Sequence, residues 1–249
     1  MAVKVRHGAA HLNAAPKIYL RSDMSQVPLP EHDSSLEQAN QLFWEALLGH
    51  IRRELAGNVV DEVLDVGCHN GGLLSQLAST FHPNRMTGIE PASHCRERAL
   101  FRLRTLAPRV AILPPKAWPE VPSSSIDIVT CHEVLHLVED LHHLFGNIAR
   151  VLRPQGIAFV VVGCHSENPV WRTWSAELRD SGQTVFDRTA FDILHCGIAA
   201  GMQGALRPLR RDGWIIYNPK STVFSYPSIG HLLDHQYRNK LLFRFIRRS

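Results

Sequence analysis

The strongest constraint on this chain is a strand, a glycine loop and a helix start within residues 63–74. An apolar segment containing Asp65 leads into Gly67, and Gly71 then opens an apolar helix. Because glycine has no Cβ, such a loop lets backbone amides approach a nucleotide-like ligand closely. A second apolar run ends at Glu90, twenty-five residues after Asp65, where doubly wound folds present a carboxylate to ribose hydroxyls. The pattern therefore predicts a nucleoside site.

Strand-like and helix-like segments alternate along the rest of the chain. The sequence predicts helices at 35–56, 72–79, 93–106, 139–152, 168–181 and 189–200, and strands at 62–66, 85–90, 110–113, 126–130 and 157–162. This alternation predicts an α/β fold with a doubly wound, mostly parallel seven-stranded sheet of Rossmann-like type. Residues 206–211 and 214–218 flank Asp212-Gly213, which predicts a closing hairpin and an antiparallel last strand.

The expected organisation is one domain with two appendages. Residues 1–34 form a leader, residues 35–218 form the ligand-binding domain and residues 219–249 form a C-terminal tail. The first 22 residues contain four basic residues and no acidic ones, which slightly resembles an organelle transit peptide, although a flexible basic leader is the simpler interpretation. The apolar and basic pattern of the tail fits docking on the domain, a dimer contact or a membrane surface.

Composition limits the compartment and the partners. The five cysteines form no C-x-x-C pair and are odd in number, which argues against a disulfide framework and for a reducing compartment. No apolar run approaches the roughly twenty residues that span a bilayer, so we expect a cytoplasmic protein with no membrane span. The formal net charge is +4, but the basic residues are spread out, which does not favour a nucleic-acid partner. A homodimer is left open.

Four motifs in order resemble the class I S-adenosylmethionine-dependent methyltransferases over about residues 40–218. They are the glycine loop at 64–71, the acid Glu90, a strand and loop at 125–136 and a turn at 150–156. The resemblance implies S-adenosyl-L-methionine as methyl donor. His69 replaces the usual middle glycine of the loop, and 115–118 lacks the Asp that in many relatives accepts the adenine amino group. The donor-binding residues that the resemblance implies are Asp65, Gly67, Cys68, Gly71, Glu90, Pro91, Lys116, Ala117 and Cys131.

The resemblance also places the loop after the fourth strand beside the donor methyl. The candidate catalytic residues are therefore His136, His132 and Glu133, with His136 first because an unperturbed imidazole titrates near neutrality. These side chains are equally compatible with shaping the loop or capping the next helix. Residues after the fifth strand could bind the acceptor or pack a helix, namely His165, Glu167, Trp171 and Trp174.

The segment at 132–136 is also a literal H-E-x-x-H, the zinc-protease signature in which two histidines one helical turn apart bind metal. Here the segment begins at the end of an apolar strand, so no metal is expected, and a zinc-dependent hydrolase is kept as an alternative of another class. The first interpretation is O- or N-methylation of a small-molecule acceptor. Methylation of RNA or protein, and a non-catalytic module that binds the donor, are the alternatives with the same fold.

Overall fold

The computed structural model describes residues 30–211, 213–215 and 225–248, with side chains from residue 36 onward. The strands are β1 Glu62–Val66, β2 Arg85–Ile89, β3 Val110–Leu113, β4 Ile126–His132, β5 Leu152–Val162, β6 Met202–Pro208 and β7 Leu241–Arg247. The helices are α1 Pro30–Leu55, α2 Gly72–Phe81, α3 Ser93–Arg102, α4 Leu141–Val151, α5 Trp171–Asp180, α6 Ala190–Ala199 and α7 Ile229–Asp234. Among these helices, none has the length and apolar character needed to cross a bilayer.

The seven strands form one sheet in the order β3-β2-β1-β4-β5-β7-β6. Strands β1 to β5 are parallel, whereas β7 runs antiparallel to both β5 and β6. The predicted α/β class, with a doubly wound and mostly parallel sheet, is confirmed. Since the chain reverses its strand order at β1 and β4, the carboxyl ends of these two strands flank the crevice in which such folds bind ligands.

Helices cover both faces of the sheet because the inner strands are apolar on both sides. Successive residues of a strand point to opposite faces. Phe159 accordingly packs in the core beneath α1, α2 and α3, while Val160 packs in the core beneath α4 and α6. Both side chains are essentially inaccessible to solvent. This double burial fixes the register of the central strands and therefore the positions of the loops at their carboxyl ends.

The predicted hairpin is wrong, because β6 pairs with β7 rather than with residues 214–218. Trp214 and Ile215 are not in a strand, and residues 216–218 lie outside the described part of the chain. The Asp-Gly signal is purely local, whereas a strand between two others must bury both faces. Strand β7 meets this requirement, because Leu242 enters one core and Phe243 enters the other.

The predicted tail also needs correction, because residues 241–247 form the strand between β5 and β6. Pro208 pairs with Leu241, and Leu241 pairs with Val162 at the end of β5. The segment 209–240 is therefore an insertion that leaves and re-enters the sheet at the carboxyl edge of the parallel strands. The predicted leader lies almost wholly outside the described residues, and α1 begins at Pro30 rather than at residue 35.

Two helical glycines test the position of β7. A Cβ at Gly197 in α6 would overlap the ring of Phe245 in β7, whereas a Cβ at Gly146 in α4 would meet nothing within 4 Å. We expect Gly197→Ala to lower the free energy of unfolding by about 1–3 kcal/mol through overpacking. Gly146→Ala should raise it by about 0.5–1 kcal/mol because alanine is the better helix former. Urea unfolding measures both, and equal effects would contradict the β7 placement.

Candidate functional site

The glycine loop turns sharply at the carboxyl end of β1. Gly67 has a φ of 72° and Gly71 a φ of 77°, a left-handed conformation that favours glycine. The Gly67 N–H donates to the Ile89 carbonyl at 2.7 Å, and a Cβ on Gly67 would overlap Val134. His69, which replaces the usual middle glycine, also adopts a positive φ of 47°. The loop therefore keeps the conformation that the glycine pattern predicts.

Glu90 follows β2 at the same edge and is held by the glycine loop itself. One carboxylate oxygen accepts the His69 N–H at 2.9 Å, and the other accepts the Ala92 N–H at 2.9 Å. The residue is only 6% exposed. Each carboxylate oxygen can accept more than one hydrogen bond, so this fixed and buried group keeps acceptor capacity for the hydroxyls of a ribose.

Asp65 links two central strands beneath the loop. Thr130 Oγ1 in β4 donates to Asp65 Oδ1 at 2.7 Å. Burial, together with the nearby Glu90 carboxylate, raises the pKa of Asp65 to about 7 despite that hydrogen bond. Cys68 and Cys131 lie beside it, and burial raises the pKa of both thiols above their ordinary range. The floor of the crevice therefore carries uncharged thiols and one carboxyl that titrates near neutrality.

The predicted adenine-side residues lie at the ends of β2 and β3. Pro91 and Lys116 are exposed, whereas Ala117 is buried. The Ala117 N–H already donates to the Pro114 carbonyl at 2.9 Å inside a short 3-10 helix, Pro115–Glu120. Ala117 can therefore offer an adenine an apolar surface, but its amide is already used within the protein.

The H-E-x-x-H segment does not form an α-helix. His132 is the last residue of β4, Glu133 has a φ of 57°, and His136 lies in a 3-10 turn, Leu135–Leu137. The two histidines are therefore not stacked one α-helical turn apart, which the zinc-protease arrangement requires. The local geometry removes the structural basis of the zinc-hydrolase alternative.

Glu133 turns back to bind the end of β5 and the start of β7. Its Oε1 accepts the Gly163 N–H at 2.7 Å and the Lys240 ammonium at 2.5 Å, and its Oε2 accepts the Cys164 N–H at 3.3 Å. Burial opposes ionisation, but Lys240 and the neighbouring His132 outweigh it and hold the pKa of Glu133 below its usual range. This carboxylate is charged and held by three hydrogen bonds, so it is suited to position the loop rather than to accept a proton.

The imidazole of His136 is fully buried, and neither ring nitrogen has a hydrogen-bond partner in the described structure. Its ring meets Trp171 edge-on at 5.4 Å. Burial lowers the pKa of His136 to about 4 although Glu133 opposes this shift. The group is therefore neutral at pH 7 and free to accept a proton or a hydrogen bond from a ligand.

His132 has a similar environment on the α1 side of the crevice. Its Nε2 is buried with no partner among the described residues, and its ring lies 6.2 Å from Trp44. Burial, followed by the positive charge of Lys240, lowers the pKa of His132 to about 3. Two neutral imidazoles thus lie on either side of the anchored Glu133.

Glu133, His136 and Cys164 bring potential metal-ligand atoms within 4.8 Å of one another. This set omits His132, so it is not the pair that H-E-x-x-H predicts. The Lys240 ammonium already bonds Glu133, and burial raises the pKa of the Cys164 thiol well above its ordinary value. A cation beside a protonated thiol is a poor environment for a divalent metal, so the donor set fits a polar ligand better.

The sequence motifs missed Asn168, His235 and Asn239, which lie in this region. Asn168 Nδ2 donates to the Gly163 carbonyl at 2.6 Å and lies 2.9 Å from His235 Nδ1. His165 Nε2 lies 2.7 Å from the Asn239 carbonyl. These contacts hold the 209–240 insertion against the residues that follow β5. Local sequence patterns do not reveal such contacts, because the partners are distant in sequence. Trp171 and Trp174 are almost fully buried in an apolar cluster, which supports the helix-packing interpretation.

Three buried histidines make the protein sensitive to acid. The pKa values of His132, His136 and His235 fall to about 3, 4 and 3 from 6.5. Below pH 6.5 these histidines are protonated in the unfolded chain but not in the folded chain. The free energy of unfolding therefore falls by about 1.4 kcal/mol per pH unit for each histidine. Below pH 4.5 the lowered pKa of Glu133 adds a further loss. The raised pKa of Asp65 opposes this loss by up to one proton between pH 7 and 5. Urea unfolding over that range measures the net slope.

The matched variants for this prediction are His136→Phe and His195→Phe. The first removes one buried titrating group, so the slope should decrease by about one proton. His195→Phe, at an exposed position, is the control for exchanging an imidazole for a phenyl ring. A free energy of unfolding that is constant from pH 7 to 5 would contradict the assignment of neutral buried imidazoles.

The chain is similar in sequence to known methyltransferases. Residues 38–194, more than half of the chain, match a family model described as a methyltransferase domain. A fatty-acid O-methyltransferase from Mycolicibacterium smegmatis is 32% identical over 52% of this chain and 45% of its own length. The O-methyltransferase resE from Aspergillus sclerotiorum is 30% identical over 55% and 54%, respectively. The chain spans about half the length of these curated relatives.

Solved structures share the fold at low sequence identity. A chain from the complex of the Haloferax volcanii Trm112 methyltransferase activator with a methyltransferase has a TM-score of 0.68 and 19% identity, covering 88% of this chain and 96% of that chain. The Haemonchus contortus phosphoethanolamine N-methyltransferase 2, solved with S-adenosyl-L-methionine, has a TM-score of 0.62 and 15% identity, covering 88% and 57%. The likeness to solved structures shows the shared fold, and the family match over more than half of the chain shows that it belongs to the class I S-adenosylmethionine-dependent methyltransferases.

Proposed function

We propose that this protein transfers the methyl group of S-adenosylmethionine to an oxygen of a small organic acceptor. The observation that carries the proposal is the neutral, buried and unpartnered imidazole of His136. It lies after β4, on the sheet edge that also holds the glycine loop and Glu90. Both curated relatives are named O-methyltransferases, which supports oxygen over nitrogen as the acceptor atom.

The donor site fits the residues present. Glu90 is fixed by two backbone amides before any ligand arrives, so little reorganisation is needed to bind ribose hydroxyls. The left-handed Gly67 and Gly71 let the loop backbone lie close to the amino-acid end of the donor, although their own N–H groups already donate to protein carbonyls. The donor supplies an electrophilic methyl on a sulfonium sulfur. We assign Cys68 and Cys131 to the uncharged wall beside it, and Pro91, Lys116 and Ala117 to the adenine side.

His136 would accept the proton that the acceptor hydroxyl loses. The new oxygen–carbon bond forms as the methyl–sulfur bond breaks, so the acceptor becomes a methyl ether and the donor becomes S-adenosylhomocysteine. A general base with a low pKa is a weak one, but a neutral imidazole in a dry site remains available at pH 7. Glu133 holds the loop that carries this imidazole, and His132 flanks the same crevice from the α1 side.

The alternative functions with the same fold are methylation of a nitrogen atom and methylation of RNA or protein. An amine needs no general base, so an N-methyltransferase would not depend on His136. RNA or protein acceptors would require a binding surface outside the buried region around His136. We favour the small hydroxyl acceptor because the unpartnered imidazole is fully enclosed.

Removing the Glu90 charge should weaken donor binding. Glu90→Gln loses charge-assisted hydrogen bonds to ribose, which are worth about 1.5–3 kcal/mol. We therefore expect the affinity for S-adenosylhomocysteine, measured by calorimetry, to fall roughly 10- to 100-fold. Glu97→Gln, at an exposed position on α3, is the matched control and should bind normally. Unchanged affinity in Glu90→Gln would show that the donor site is assigned to the wrong residues.

Replacing the proposed base should affect the chemical step alone. Once an acceptor is found by screening hydroxyl compounds with labelled donor, His136→Asn should lower kcat by roughly 100-fold or more, with the affinity for S-adenosylhomocysteine unchanged. His195→Asn, on the exposed face of α6, is the control. A normal kcat in His136→Asn would rule out the base and favour an acceptor that needs none.

A further inference from the structure

Arg211 is a buried cation with no anionic partner among the residues that the structure describes. It lies in the 209–240 insertion and is only 7% exposed. Its Nη2 donates to the Trp214 carbonyl at 3.3 Å, and its Nε has no hydrogen-bond partner in the described part of the chain. Within the described chain, no carboxylate pairs with this guanidinium. Burying an unpaired charge is costly, so such a group in a folded protein calls for a ligand that compensates it.

The guanidinium lies next to the proposed acceptor region. Its carbon Cζ is 5.7 Å from the centre of the Phe43 ring, and Lys240 Nζ is 4.2 Å from the same ring centre. Lys240 in turn bonds Glu133, which holds the loop carrying His136. Phe43 therefore contacts both the Lys240 ammonium, which Glu133 compensates, and the Arg211 guanidinium, which no described carboxylate compensates.

Aromatic side chains of the insertion and of α5 surround the same region. The Tyr226 ring lies 5.5 Å from Trp174 and 5.8 Å from His235, and the Tyr237 ring centre lies 5.9 Å from Arg211 Cζ. The Tyr226 hydroxyl accepts a hydrogen bond from Gln236 Nε2 at 3.4 Å. A ligand with an apolar body and one charged group would match these surroundings.

The local charge balance gives the sign of that group. Arg211 and Lys240 contribute two positive charges, and Glu133 contributes one negative charge. His235 adds none at pH 7, because burial and then the nearby Lys240 lower its pKa to about 3. The described groups around Phe43 thus leave one positive charge uncompensated, which a monoanion would neutralise.

We propose that Arg211 binds the carboxylate of the acceptor, so that the acceptor is an organic acid with an apolar body and a hydroxyl that reaches His136. This inference rests on the proposed function and adds the substrate class. The planar guanidinium fork suits a carboxylate because it can donate two parallel hydrogen bonds. Arg211 is then a specificity-determining residue, while His136 serves the oxygen that is methylated.

The test measures binding to the full-length protein loaded with S-adenosylhomocysteine. The probes are 10-hydroxydecanoate and 3-(4-hydroxyphenyl)propanoate, each compared with its neutral amide and with phenyl phosphate by calorimetry. The variants are Arg211→Met, which keeps an apolar stem, and Arg211→Lys, which keeps the charge. Arg210→Met, at the exposed neighbouring position, is the control, and thermal unfolding verifies that every variant is folded.

We expect at least one acid to bind the parent protein roughly 10- to 100-fold more tightly than its amide. Arg211→Met should abolish that preference, Arg211→Lys should retain part of it, and Arg210→Met should retain all of it. The affinity for S-adenosylhomocysteine should be the same in all four proteins.

Four results would overturn the inference while leaving the proposed function intact. The parent could bind acids and amides equally, or Arg211→Met could keep the preference. Arg211→Met could instead lose affinity for S-adenosylhomocysteine, which would assign Arg211 to the donor's own carboxylate. Tighter binding of phenyl phosphate than of either acid would assign the site to phosphate esters. Failure of the parent protein to bind S-adenosylhomocysteine would instead refute the proposed function.

Discussion

The buried ion pair between Glu133 and Lys240 joins three separate parts of the chain. Glu133 directly follows β4, and Lys240 directly precedes β7. The Glu133 carboxylate also accepts hydrogen bonds from two backbone amides just after β5. A buried ion pair is tolerated only when further hydrogen bonds satisfy its remaining atoms. The Gly163 and Cys164 amides do so here, and Gly163 lacks the Cβ that would approach Glu133 Oε1 to 2.8 Å. The site depends on this junction.

The ion pair also explains the chemistry on both sides of it. The Glu133 carboxylate bonds Lys240 and two backbone amides rather than the neighbouring imidazoles. Among the described residues, His132 Nε2 and both ring nitrogens of His136 have no hydrogen-bond partner. The Lys240 ammonium adds to burial in keeping both rings neutral. Lys240 is also the last residue of the insertion that carries Arg211. The contact between Lys240 and Glu133 therefore connects this insertion to the loop that carries His136.

Features that depend on local chemistry were predictable from the sequence. Gly67 predicts a left-handed turn because few other residues adopt a positive φ. In a parallel sheet the acid at the end of the next strand, Glu90, is expected to lie beside that turn. The hairpin at Asp212-Gly213 was wrong for the opposite reason, since a turn signal says nothing about a partner strand more than thirty residues away. Lys240 and Arg211 could not be identified, because their importance arises from contacts with Glu133 and Phe43, which are distant in sequence.

A double-mutant cycle on the ion pair tests this account most directly. Urea unfolding of Glu133→Gln, Lys240→Met and the double variant gives the coupling free energy between the two side chains. Each single variant leaves one buried partner uncompensated and should lose about 3–5 kcal/mol, and the double variant should lose clearly less than the combined single losses. Small, additive losses in the single variants would contradict the claim that this pair holds the site together.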